Sequence, residues 1–190
     1  MDQECQEINT NKLKKKVNMR NYKILMVDDE PTVIEAYLDV LARVEDVGIK
    51  ELRGLASVLF EEKDEQAIKK PTLKLTIDTA HQGEEAIEFA EKALKINDPY
   101  LVAVLDMRMP PGINGFETAQ KLIELDPNIE ICFITAYSDT PFEEIAEKLG
   151  NGRFLLLRKP VNHQELVTTI EFLGEHGYKC HKKDQFKHVH

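Results

Sequence analysis

Five side chains spread along the chain have types suited to phosphoryl-transfer chemistry: Asp28, Asp29, Asp106, Thr135 and Lys159. Asp106 closes the apolar run Tyr100 to Leu105 and is followed at once by the break Met107-Arg108-Met109-Pro110. An apolar run without alternation reads as a strand buried on both faces, so Asp106 is the first polar group to emerge from its carboxyl end. Asp28 and Asp29 end a similar run, Tyr22 to Val27, Thr135 ends a third that begins at Asn128, and Lys159 follows Phe154 to Leu157. In open parallel sheets, ligands collect outside the carboxyl ends of the strands. Three carboxylates at one such edge offer hard oxygen ligands, and magnesium takes few protein carboxylates together with phosphate oxygens. A cation held there would let an anionic aspartate attack an anionic donor, and carboxylates can serve as phosphoryl acceptors. The Lys159 ammonium and Thr135 hydroxyl would meet the remaining phosphoryl oxygens. The added group brings about −1.5 to −2 charges, enough to draw both side chains and their loops into new positions. Each of the five residues alone reads as an ordinary surface group; the chemistry lies in the set.

The elements that must position this set alternate along the chain. Pro31 opens a helix after the first strand, in the position where its fixed φ is pre-organised, and Val33, Ile34, Tyr37, Leu38 and Leu41 form its apolar stripe. Leu73 to Ala80 alternates as a strand, and Gly83 turns into a helix with Glu84 and Glu85 in its first turn. Phe116, Ala119, Leu122 and Ile123 mark another helix after the Pro110-Pro111-Gly112 turn. Thr140-Pro141-Phe142-Glu143 is a capping box, and Asn162 caps the last helix, buried through Leu166, Val167, Ile170 and Leu173. Five strands alternating with helices imply an α/β fold with a parallel sheet covered on both faces. The expected domain is 21–174, with a helical insertion at 48–72. A polar arm at 1–20 and a polar, His-rich tail at 175–190 flank it. His176, His181, His188 and His190 crowd Cys180 in that tail, but their irregular spacing favours a frayed end over a metal site.

Composition narrows the partners. The chain of 190 residues is 42% hydrophobic and 31% charged with a formal net charge of −9, which suits a soluble protein and argues against nucleic acid as the main partner. The lysines at 12 and 14–16 read as a solvated charge run. Three scattered cysteines form neither a disulfide framework nor a zinc spacing, as expected for a reducing cytoplasm. No apolar stretch approaches the roughly 20 residues of a membrane span, and the start MDQECQEINT lacks a signal-peptide core.

Residues 21–173 resemble the receiver domain of two-component response regulators. The motifs are ILMVDDE with Asp28 and Asp29, VLDMRMP with Asp106, FITA with Thr135, and LLLRKP with Lys159 and Pro160. The resemblance implies a flavodoxin-like, doubly wound five-stranded parallel sheet of strand order 2-1-3-4-5. It implies Asp106 as phosphoacceptor; Asp28, Asp29, Asp106 and the Arg108 main-chain carbonyl as Mg2+ ligands; Thr135 as switch hydroxyl; Lys159 as phosphoryl contact; and a cis Lys159-Pro160 bond. A histidine kinase or phosphotransfer protein would be the donor. The strings MRMPPGINGFET and TAYSD also resemble receivers attached to hybrid sensor kinases.

The departures from the family pattern are local. Asp29 and Asp106 stand 77 positions apart, the excess lying around 48–72, and the Pro110–Gly115 loop is one residue longer than is common. Leu156 replaces the usual rotating aromatic, leaving Phe154 or Tyr137 as substitutes or plain packing. The resemblance implies that Arg108 and Tyr137, each two positions after its motif residue, flank the route of attacking water, so slow self-dephosphorylation is expected. Nothing after residue 174 reads as a DNA-binding helix pair or a kinase motif. Output is therefore expected through protein contacts, with Pro141 to Leu173 as the candidate face for a downstream protein or a homodimer. Two alternatives stand beside a phosphoacceptor that is not itself an enzyme. One is a degenerate receiver used only for binding, although no acidic residue is missing. The other is an aspartyl-phosphate phosphatase, although Arg108 occupies the place of its second acid.

Overall fold

The computed structural model describes residues 20–47, 73–136, 142–149 and 154–187. The expectations for the N-terminal arm, the 48–72 insertion, Tyr137, the Thr140-Pro141 cap, His188 and His190 fall outside these residues. The order is β1 (Arg20–Val27), α1 (Pro31–Val47), β2 (Leu73–Ala80), α2 (Gly83–Lys95), β3 (Val102–Asp106), α3 (Gly115–Leu125), β4 (Glu130–Thr135), α4 (Phe142–Leu149), β5 (Phe154–Arg158) and α5 (His163–Lys187). The strands form one parallel sheet, β2-β1-β3-β4-β5, the expected fold and order.

Period-two alternation sorts the central strands into two cores. Leu25, Val27, Ala103, Leu105, Ile131 and Phe133 face α2, α3 and α4, meeting Ala86, Ala90, Ala119, Leu122 and Ile145. Ile24, Met26, Val102, Val104, Cys132 and Ile134 face α1 and α5, meeting Ile34, Leu41, Leu166, Ile170 and Leu173. Because both faces are covered, β3 is buried throughout, which is why it reads as an unbroken apolar run. Phe154 packs edge-to-face on Phe133 at 5.7 Å in the first core. Cys132 lies in the second, where burial pushes its thiol up to about 12.

One expectation needs correction. The chain does not fray after Gly174: α5 continues as helix to Lys187. Two glycines of this helix, Gly174 and Gly177, are required by close approach. A Cβ on Gly174 would lie 2.3 Å from the Tyr22 ring, and one on Gly177 would lie 2.8 Å from the Leu101 carbonyl oxygen. Each glycine costs about 1 kcal/mol of helix propensity, but together they let α5 lie directly on β1 and the start of β3. The extension is then tied down by an ion pair between Arg20 and Glu175. The Tyr22 hydroxyl donates to Glu175 at 2.8 Å, Tyr178 packs on Tyr22 at 6.3 Å, and the Arg20 guanidinium stacks over the Tyr178 ring.

The hydrogen bond from Arg20 holds the Glu175 carboxyl down to about 2, against burial, with help from Tyr22 and Lys179. A depressed folded-state value contributes stability above the ordinary 4.5 and loses it as pH falls toward 2. Glu175→Gln is therefore expected to lower stability at pH 7 by about 1 kcal/mol, the partial exposure of the pair limiting the effect. Urea melts should show the mutant and parent curves converging below pH 4; a constant gap down to pH 2 would show that the charge is not what matters.

Candidate functional site

The strand order places a switch point between β1 and β3, because the chain leaves β1 toward one edge and fills the other edge from β3 onward. Ligands of such sheets bind in the crevice at the carboxyl ends beside that point. Asp28 immediately follows β1 and Asp106 is the last residue of β3. Both continue the even-numbered register of their strands, and they are 2% and 8% exposed. Carboxylates this deeply buried need partners, and each has two. Lys159 Nζ lies 2.9 Å from Asp28 Oδ2 and 2.9 Å from Asp106 Oδ1. The Glu30 amide donates to Asp28 Oδ1 at 3.0 Å, and the Arg108 amide donates to Asp106 Oδ2 at 3.0 Å.

Thr135 ends β4 and is buried, one residue beyond Ile134, the register partner of Asp106. Its carbonyl accepts from the Lys159 amide at 2.8 Å, so Thr135 and Lys159 are joined through the backbone. The Lys159-Pro160 bond is cis, as the resemblance implies. Asp29 is half-buried next to Asp28, and the Arg108 side chain is exposed. All five residues singled out by type therefore reach one rim of the sheet.

Burial lifts the Asp106 carboxyl above its ordinary value, although Lys159 and the Arg108 amide pull the other way. On Lys159 burial opposes the charge too, but hydrogen bonds from its ammonium to Asp28 and Asp106 outweigh it and raise its pKa. The asymmetry is physical: one ammonium serves two carboxylates, so each carboxylate has only a share of the cation. Asp28, Asp29 and Asp106 are hard oxygen donors of the kind that a small divalent ion takes while keeping several waters, and the buried carboxylates of Asp28 and Asp106 already share one positive charge, that of Lys159.

The longer Pro110–Gly115 loop is held by α2, a role that sequence reasoning did not assign. Gln82 Nε2 donates to the Pro110 carbonyl at 3.3 Å, and Gln82 Oε1 accepts from the Gly112 amide at 3.1 Å. Glu84 accepts from the Ile113 amide at 3.2 Å. Asn114 and Glu117 then close a reciprocal capping box that starts α3. The N-x-x-E spacing around residue 114 was the available signal for the cap. Nothing local in the sequence ties Gln82 to Gly112.

A sequence model of the family described as "Response regulator receiver domain" matches residues 57–171, more than half of the chain. The response regulator GacA of Pseudomonas protegens is 29% identical over 99 residues, 52% of this chain and 44% of that protein. The aligned segment thus spans less than half of that relative. The crystal structure described as adenylate cyclase from Rhodopirellula baltica superposes with a TM-score of 0.60 at 22% identity, covering 90% of this chain and all of that one. The chemotaxis protein CheY4 of Vibrio cholerae gives 0.56 at 20% identity, covering 81% and 99%. At such identities these two structures speak for the fold alone. The family match begins beyond β1, which the long 48–72 segment separates in sequence, yet the sheet pairs β1 with β2 and β3 and returns Asp28 to Asp106. With its acidic rim, its conjoined Thr135 and Lys159 and this family match, the chain belongs to the response regulator receiver domains of two-component signalling.

Proposed function

We propose that Asp106 is the phosphoacceptor of this receiver, taking its phosphoryl group from a phosphohistidine on a histidine kinase or phosphotransfer protein. The observation that carries this reading is the Lys159 ammonium, 2.9 Å from both Asp28 and Asp106. A carboxylate oxygen of Asp106 attacks phosphorus, the P–N bond breaks, and the histidine nitrogen leaves with the bonding pair. The products are an acyl phosphate and an imidazole. Asp28, Asp29, Asp106 and the Arg108 carbonyl would hold Mg2+, which when bound would supply charge neutralisation between the anionic acceptor and the anionic donor. Lys159 keeps Asp106 oriented and accompanies the new oxygens, while Thr135 offers its hydroxyl. The shared Lys159–Thr135 backbone hydrogen bond couples those movements to the ends of β4 and β5.

Output then runs through protein contacts on the α4–β5–α5 face, to a downstream protein or a second copy, in the cytoplasm. This face leaves Leu155 and Phe172 exposed. The likeness to receivers of hybrid sensor kinases fits a place in a phosphorelay. The test is incubation with acetyl phosphate and Mg2+ followed by intact mass. One added phosphoryl group, absent in Asp106→Asn and without Mg2+, supports the reading. Rapid phosphate turnover points to a phosphatase, and no adduct points to a binding module. Arg108→Ala is expected to speed loss of the phosphoryl group about 10-fold or less, the order of one blocking side chain at about 1 kcal/mol; an unchanged decay rate would remove Arg108 from the water route.

A further inference from the structure

At the opposite pole of the sheet from Asp106, three side chains converge that the receiver chemistry does not use. Glu130 heads β4, and His176 and Cys180 lie on the extended part of α5. Their donor atoms all fall within 4.8 Å of one another. His176 Nδ1 is 2.8 Å from Glu130 Oε1, and Cys180 Sγ is 3.9 Å from His176 Nδ1. We propose that Glu130, His176 and Cys180 form a binding site for Zn2+.

Helix geometry accounts for two of the three donors, since residues four apart stack on one face. Glu130 comes from 46 residues earlier in the chain, and its position is set by the sheet. Its amide donates to the Leu101 carbonyl at 3.0 Å, the same carbonyl that Gly177 packs against. The glycine that brings α5 down on the sheet thus also brings His176 and Cys180 to Glu130. The next residue, His181, brings Nε2 to 3.4 Å from Asp126 Oδ2, both atoms buried and neither hydrogen-bonded.

The donor set selects the ion. Nitrogen, thiolate sulfur and one carboxylate oxygen suit zinc rather than magnesium or calcium, which prefer oxygen alone. Zinc bonds of about 2.0–2.3 Å in a tetrahedron put donors roughly 3.3–3.8 Å apart, and the separations of 2.8 and 3.9 Å straddle that range. Binding requires the Cys180 thiol to release its proton to solvent and His176 to offer a neutral Nδ1. One thiolate and one carboxylate then balance the dication. Glu130 is largely sheltered while His176 is 59% exposed, so the solvent side supplies the fourth position. A bound ion would clamp the end of α5 to the base of β4.

The full chain, stripped of metal by a chelator, should be titrated with Co2+ as a spectroscopic stand-in and with Zn2+ in competition. With excess Mg2+ present to fill the carboxylate rim, a thiolate-to-cobalt charge-transfer band is expected that saturates at one equivalent and that Zn2+ erases. Cys180→Ser should abolish the band. Removing a partner that merely supports a ligand costs about 10–100-fold in affinity, so His176→Ala and Glu130→Gln should weaken binding at least tenfold. Cys5→Ser, the double change His188→Gln with His190→Gln, and Asp106→Asn should leave it unchanged, the last separating this site from the phosphoacceptor. Wild-type protein gives an independent reading: Zn2+, but not Mg2+, should slow alkylation of Cys180. Absence of binding, a band that survives Cys180→Ser, a band lost with Cys5 or the terminal histidines, or alkylation at the same rate with and without Zn2+ would each overturn the site.

Discussion

Replacing Lys159 with alanine is expected to destabilise the magnesium-free protein by about 2–3 kcal/mol, more than any other single change at the rim. The ammonium sits 2.9 Å from two carboxylates whose side chains are 3% and 9% exposed. Removing one member of a buried ion pair leaves an uncompensated charge and costs roughly 3–5 kcal/mol. Lys159 itself is 21% exposed, which lets water soften the loss and sets the lower figure. The remaining carboxylates can recover by binding a divalent cation. Because a ligand of the native state stabilises by mass action, Mg2+ should raise the melting temperature of Lys159→Ala by more than it raises that of the parent. Thermal melts over a Mg2+ series check both halves. If the variant melts with the parent and responds identically to Mg2+, the ammonium is not what holds Asp28 and Asp106 together.

Gly115→Ala is the second large effect expected, for a steric reason. A Cβ at this position would stand 2.0 Å from the Asp106 carbonyl oxygen and 3.1 Å from the Met107 Cα. The clash is with backbone, so no rotamer relieves it, whereas at Gly83 the same change would meet the movable side chains of Thr118 and Ile113. Overpacking a tight site costs about 1–3 kcal/mol, and a backbone clash belongs at the top of that range. The displaced residue is the proposed phosphoacceptor, so labelling by acetyl phosphate should fall together with the melting temperature. Labelling at the parental rate in a folded Gly115→Ala protein would show that the turn after β3 can shift without disturbing the carboxylate.

The strand ends were legible in the sequence because burial on both faces writes β3 and β4 as apolar runs, and each run stops at its polar residue. Asp106 and Thr135 are positioned by that rule alone, and Asp28 by the same rule in β1. The tail was misread because it is polar and its histidines are irregularly spaced. In the fold, Gly174 and Gly177 are where the helix touches Tyr22 and Leu101. Exposure on that extension is mixed, with Gly174 and Gly177 buried, Glu175, Tyr178 and Cys180 half-buried, and His176 and Lys179 exposed, so no strong apolar stripe announced it.

What the sequence determined by itself is which polar side chains close the strands and in what order, since strand burial and the stop after each apolar run are local properties. What only the tertiary structure decided is who meets whom. Lys159 bridges Asp28, 131 residues away, Gln82 and Glu84 hold a loop about 30 residues downstream, and Glu130 joins His176 across 46. Such pairings follow from parallel register and from how closely α5 can approach the sheet, and neither is a property of any one stretch of chain.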